Sequence, residues 1–270
     1  MAILKHGRLS KGGGNMNWDE RKRYYDKWYF TEHSSFVDGS DNVNYLNDHN
    51  EDGHRVVAKF IYDLCQPESI LDCGCGNGHL EYDFYLLGMP IIKGFDICEY
   101  GVSVIPDIIK EAVFQHDITE GIPFSDKEFD LIILFDVLEH LHNYELLGRA
   151  VSEVCRVNKK NILIRTPMVS FAHTKPTREE RLEEEGNLLI DLNNISHEAR
   201  IELVGVHPLL CKPKPLHENI EHPLEHPREF WIKLFESFGF KEKRMPDEYY
   251  KFPNPLSFIS FNAALFERIE

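Results

Sequence analysis

Between residues 69 and 165 the chain alternates short apolar runs with stretches of helical spacing. That alternation is the signature of parallel strands joined by crossover helices. Strands are expected at Ser69 to Asp72, Ile91 to Phe95, Ala112 to Gln115, Asp130 to Phe135 and Asn161 to Arg165. Ahead of the first, Val56, Val57, Phe60, Ile61 and Leu64 recur at helical spacing and lead into Pro67. Leu146, Leu147, Ala150, Val151, Val154 and Cys155 form a second clear stripe. The helix over Leu80 to Leu87 has weaker periodicity, but Gly88 and Pro90 supply its stop. Phe230, Trp231, Leu234, Phe235 and Phe238 mark an amphipathic helix ended by Gly239. Two further strand-like runs, Phe240 to Met245 and Phe258 to Arg268, flank a proline-rich turn and would close the sheet as an antiparallel hairpin. The expected fold is therefore α/β: a doubly wound, mostly parallel seven-stranded sheet with a C-terminal antiparallel hairpin. The strand and helix pattern lapses over 168–228, too long for a plain loop in a compact domain, and this stretch reads as an inserted lid.

The chain has 270 residues, enough for one large domain and its core. Residues 1–15, with Gly12 to Gly14 among basic residues, read as a flexible leader, and 16–53 as an N-terminal lid segment. Residues 54–270 read as the main domain. Tyr24, Tyr25 and Trp28 suit either a lid or a helix packed on the sheet. The net charge of −15 opposes nucleic acid and anionic membranes at long range, so neither is expected as a partner. Six cysteines without a CxxC pair suggest reduced, mostly buried thiols and a cytoplasmic setting. The longest apolar run, Leu131 to Phe135, is far below the roughly 20 residues of a membrane span.

The sharpest motif is Ile70-Leu71-Asp72-Cys73-Gly74-Cys75-Gly76-Asn77-Gly78, a strand entering a loop with glycine at every second position. Such a loop admits a ligand close to the main chain beyond the carboxyl end of the first strand. Taken alone, the glycines equally fit a tight turn with no ligand. Asp96 closes the second strand, where a carboxylate can accept from both hydroxyls of a ribose. Asp117 follows the third strand, placed to accept from an adenine amino group while Ile118 packs on the ring. Each acid alone could be a solvated strand end, but three acids at three successive strand ends are harder to assign to chance.

These residues resemble the Rossmann-like, class I S-adenosylmethionine-dependent methyltransferases. Leu71 to Gly78 is similar to their DxGxGxG loop and differs from the GxGxxG of dinucleotide enzymes. Phe129-Asp130-Leu131-Ile132-Ile133-Leu134-Phe135-Asp136-Val137-Leu138-Glu139-His140-Leu141 resembles the fourth strand and following loop of the small-molecule, ubiquinone-pathway-like branch. The likeness covers about residues 54 to 167 and extends to the helix and last strands, while Met168 to Pro215 departs from it. It implies S-adenosyl-L-methionine as cofactor, held by Asp72, Gly74, Cys75, Gly76, Gly78, Asp96, Ile97, Asp117, Ile118 and Phe135. The implied reaction is methyl transfer to a small molecule, such as O-methylation of a sugar, lipid-linked or quinone-like metabolite. Methylation of tRNA or protein on the same fold, or a non-catalytic scaffold, are the alternatives.

Methyl transfer depends mainly on alignment and exclusion of water, and needs a base only if the nucleophile must lose a proton. His140, just beyond the fourth strand, is the first candidate base. Its alternative is a loop-capping role beside Glu139. His222 and His226, with His217, lie in a run interleaved with carboxylates. They could line the substrate, hold a divalent metal or cap the following helix, and Pro223 and Pro227 exclude a continuous helical metal motif. No metal is assigned. Glu179 to Glu185 reads as a solvated helix face.

Overall fold

The computed structural model describes residues 51–141, 143–166, 224, 226, 228–246 and 263–269. The proposed leader, nearly all of the N-terminal lid segment, His217, His222, the 179–185 run and nearly all of the 168–228 insertion lie outside them. Helix α1 (Glu51–Cys65) leads into β1 (Ser69–Cys73), α2 (His79–Leu86) and β2 (Ile91–Asp96). A short helix α3 (Glu99–Ser103) and a 3-10 turn over Asp107–Ala112 precede β3 (Val113–Gln115). Then come β4 (Phe129–Phe135), α4 (Tyr144–Val157) and β5 (Asn158–Arg165), followed after the insertion by α5 (Arg228–Ser237), β6 (Phe240–Lys243) and β7 (Ala263–Arg268).

These seven strands form one sheet in the order β3-β2-β1-β4-β5-β7-β6. The first five are parallel, and β7 runs antiparallel between β5 and β6. The expected seven-stranded sheet and antiparallel ending are therefore both present. Strand order reverses between β1 and β4, so the crevice beyond their carboxyl ends is the topological switch point where ligands bind in open α/β sheets.

Alternation along each strand sends its side chains to two cores. Leu71, Ile132, Leu134, Ile162, Ile164 and Phe266 pack with α4 and α5. Ile70, Leu131, Ile133, Leu163 and Leu265 pack against α1, with Phe84 of α2. Both faces of β1 and β4 are buried, which is why β4 reads as a continuous apolar run from Leu131 to Phe135 rather than an alternating one.

Helix α2 departs from the usual arrangement. Its Glu81 and Asp83 are buried, while Tyr85 and Leu86 are 43% and 48% exposed. Polar groups on the inner face and apolar ones outside cancel the helical periodicity that the sequence would otherwise display. Strand β5 begins three residues earlier than Asn161 because α4 passes into it without a loop. The extra residue forms a bulge opposite Phe129 and Leu131, and Lys159 and Lys160 there both reach Asp130 Oδ1, at 3.2 and 3.3 Å. The Glu68 N–H also donates to Asp130 Oδ2. Burial works against the Asp130 charge, but that N–H and the two lysines outweigh it and hold the carboxyl below its ordinary value.

Candidate active site at the carboxyl edge of the sheet

The glycine loop follows from the backbone angles it must adopt. Gly74, Gly76 and Gly78 have φ of 91, 58 and 77°, in the region that side chains with a Cβ resist. Gly74 is fixed a second way: a Cβ there would collide with Cγ2 of Val137, in the loop after β4. The glycine loop and the β4 loop thus meet across the switch point. The N–H groups of Gly74 and Cys75 both donate to Phe95 O, at 2.8 and 3.1 Å, binding the loop to the end of β2.

Asp96 completes this tie. Its Oδ2 accepts from Gly76 N at 2.9 Å and its Oδ1 from Cys98 N at 2.8 Å. Each oxygen has a second lone pair, so the carboxylate can organise the loop and still accept from a ribose hydroxyl. Burial raises its pKa, and the two N–H donors oppose that rise. Ile97 follows at the strand end, its carbonyl receiving Gln115 Nε2 at 3.1 Å. Asp117 Oδ1 accepts from Thr119 N and Thr119 Oγ1, at 2.9 and 2.8 Å, capping a one-turn 3-10 helix that begins at the buried Ile118. Beside them His116 bonds Gly121 O and meets Phe95 edge-on.

The other wall is the end of β4. Phe135 is half-buried with the Arg165 guanidinium 5.1 Å from its ring centre. Asp136 takes a φ of 54°, rare for a residue with a side chain, and its carboxylate pairs with Arg165. The Asp136 N–H donates to Arg165 O, so β5 grips this residue through both backbone and side chain. His140 is half-buried on the 3-10 turn Leu138–His140. Next to it Glu139 is fully buried. Burial first, then the nearby Asp136, drives Glu139 well above the usual carboxylate range, and Thr166 and Arg165 pull it back only in part.

The insertion returns to the core here, with Leu224 N donating to Glu139 O at 3.2 Å. His226 then stacks on Phe230 at 3.9 Å, with its Nε2 3.0 Å from Tyr144 Oη. Burial lowers its pKa to about 4, so it is a neutral imidazole at physiological pH. No cluster among the described residues could hold a metal ion, and His217 and His222 are not among them.

Two features of the site carry weaker sequence signals. Glu81 of α2 lies buried against Asp72, and Gly94 makes room for it: a Cβ at Gly94 would fall 2.5 Å from Glu81 Oε1. The detectable signs are a glutamate in a helix of poor periodicity and a glycine inside a strand, which often marks close approach.

The donor set suits a nucleoside-bearing cation better than a pyrophosphate. Asp72, Glu81 and Asp96 concentrate carboxyl groups at the loop, whereas a dinucleotide's phosphates would be repelled there. Residues 45–242 match the family model described as a methyltransferase domain. A protein-lysine N-methyltransferase of Schizosaccharomyces pombe is 29% identical over 49% of this chain and 66% of its own length. The 27-O-demethylrifamycin SV methyltransferase of Amycolatopsis mediterranei is 22% identical over 66% and 65%. The chain thus spans just under two-thirds of the length of these curated relatives. The crystal structure of a magnesium protoporphyrin IX methyltransferase from Synechocystis PCC 6803 with bound SAH aligns over 93% of this chain and 94% of that one, at 15% identity and a TM-score of 0.49. The family match spans well over half of the chain, and the protein belongs to the methyltransferase-domain family, the class I S-adenosylmethionine-dependent methyltransferases.

Proposed function

We propose that the protein transfers the methyl group of S-adenosylmethionine to an oxygen of a small-molecule acceptor, of the sugar, lipid-linked or quinone-like kind. The observation that carries this reading is the glycine loop, clamped by Asp96 and facing the β4 loop across the switch point. S-adenosylmethionine supplies a methyl carbon on a positive sulfur, open to in-line attack. Gly74, Cys75, Gly76 and Gly78 would admit its amino-acid tail against the main chain. Asp96, with Ile97 beside it, would accept from the ribose hydroxyls. Asp117, Ile118 and Phe135 would line the base and the mouth of the crevice, helping to exclude water. His140 would take the acceptor's hydroxyl proton, since its half-buried imidazole stands on the turn just beyond β4, at the carboxyl edge of the sheet. His226, neutral and held by Tyr144 and Phe230, would line the acceptor side, together with His222. The five described cysteines are free thiols, which supports a reducing, cytoplasmic setting. Among the described residues no helix is long and apolar enough to cross a membrane.

A second reading, methylation of a protein lysine, draws support from the Schizosaccharomyces pombe relative, the more similar of the two curated proteins. Calorimetry with S-adenosylhomocysteine and with NAD tests the cofactor. The homocysteine compound should bind and NAD should not, and Asp96→Ala should weaken binding at least roughly tenfold, the loss of one charge-assisted hydrogen bond. Normal affinity in that variant would refute the ribose role. Labelled-methyl assays on small-molecule and protein fractions then separate the two acceptor classes.

A further inference from the structure

Beneath the glycine loop lies a carboxyl pair to which methyl transfer by itself gives no role. Glu81 is 1% exposed and projects from α2 toward β1 and β2. Neither of its oxygens has a donor beyond its own backbone N–H, and Asp72 Oδ1 is likewise buried without one. The two carboxyls lie within hydrogen-bonding reach of each other. The fold makes a place for this pair: Gly94 leaves the space that Glu81 Oε1 and Cδ occupy, with Cys75 Cβ 3.2 Å from the same point.

Two facing carboxylates deprived of donors repel in a medium of low dielectric. The arrangement is stable when a proton sits between them, the condition of an acid dyad. We propose that the Asp72–Glu81 pair is a proton-holding positioning element, which keeps a shared proton while the site is empty and releases it when a cationic amino-acid tail enters the loop. This rests on the cofactor reading above, because the tail of S-adenosylmethionine or S-adenosylhomocysteine brings an α-ammonium to the loop that Asp72 precedes.

The charged groups facing the pair come from every neighbouring element. Among the described residues, Asp96 on β2 raises both acids, the thiols of Cys73 and Cys75 lie alongside, and Arg165 on β5 is a cation that opposes the rise at Asp72. Burial leads the shifts: Asp72 is pushed up to about 7, and Glu81 is driven well above its ordinary value. A cation entering this field favours the charged form and so lowers both, which expels the proton. The sign follows by linkage. Binding that releases a proton strengthens as pH rises through the titration of the pair, by up to about tenfold per pH unit, and levels off above it.

The test is calorimetry of S-adenosylhomocysteine binding to the full chain between pH 6 and 8, in buffers of different ionisation enthalpy. Proton release is expected with the native protein. It should be lost in Glu81→Gln, and absent when 5′-methylthioadenosine, which has no amino-acid tail, replaces the ligand. The ligand's own amine titrates identically against both proteins, so the difference between them isolates Glu81. Should Glu81→Gln fail to fold, difference infrared spectra of the native protein serve instead, where ligand should abolish a protonated-carboxyl carbonyl band. Binding without proton release, release that survives Glu81→Gln, or an infrared band that persists would overturn the dyad and leave the cofactor reading intact. No binding of S-adenosylhomocysteine at any pH would overturn the cofactor reading itself.

Discussion

Replacing Gly74 with alanine perturbs the loop in two separable ways. The first is backbone strain, because φ of 91° is costly for any residue with a Cβ, about 1–2 kcal/mol. The second is steric. The new methyl would overlap Val137 Cγ2, while Val137 Cβ and Cγ1, at 3.6 and 3.8 Å, stay in ordinary contact. Overpacking of this kind costs about 1–3 kcal/mol when the neighbour cannot retreat. Val137 is half-buried and follows Asp136, whose own backbone is held by β5, so its retreat is restricted. The expected loss for Gly74→Ala, strain and overlap together, is therefore about 2–5 kcal/mol in urea denaturation. Its affinity for S-adenosylhomocysteine should fall at least roughly tenfold, since the loop must shift to relieve the overlap. Val137→Ala removes the overlapping methyl and leaves the strain. The double variant should then be more stable than the sum of the singles by about 1–3 kcal/mol, a coupling measurable in a double-mutant cycle. Additivity within about 0.5 kcal/mol would refute the contact between the two loops. A Gly74→Ala protein of native stability would refute the strain as well.

Arg156 holds the loop between β3 and β4. Its guanidinium donates to Ile122 O and Phe124 O, both at 2.8 Å, while pairing with Glu153 and Asp126. Arg156→Met should cost about 2–3 kcal/mol in chemical denaturation, the loss of charge-assisted bonds to two carbonyls discounted for partial exposure, and a change under about 0.5 kcal/mol would contradict that role. His140→Gln should lower kcat by roughly a hundredfold or more with the KM for cofactor unchanged. His226→Phe, which keeps the stack on Phe230, should retain most of kcat, because a histidine with a pKa of about 4 is a poor base at neutral pH. The reverse ranking of these two variants would move the base to His226.

The sheet was legible because its strands are buried on both faces, and an unbroken apolar run as short as Leu131 to Phe135 suits a covered central strand far better than a helix. Strand ends were less so. Ala112 reads as strand by composition but closes a 3-10 turn, and Asn158 to Lys160 reads as loop because the two lysine charges point to Asp130 rather than into a core. The short helix α3 carries too few residues to display a period. At the site, glycines and strand-end acids announce themselves by spacing in the sequence. Glu81 does not, since its meaning depends on Asp72 and Gly94, partners brought to it by the fold. Glu139 is a similar case: in sequence it is one more polar residue before His140, and only burial changes its chemistry.

The inverted face of α2 bears on how the protein folds. An isolated eight-residue helix is unstable in water, and α2 offers no apolar stripe broad enough to dock it on a forming core. Its buried Glu81 gains acceptable surroundings only once β1 and β2 are paired and a proton is available for the Asp72–Glu81 pair, whereas Asp83 pairs with Arg55 of α1. Helix α2, and the glycine loop that feeds it, should then order late, after the contiguous β4-α4-β5 unit has condensed around its apolar seam. On this account the cofactor loop belongs to the last part of the molecule to assemble, and a ligand that holds it would act chiefly by slowing unfolding.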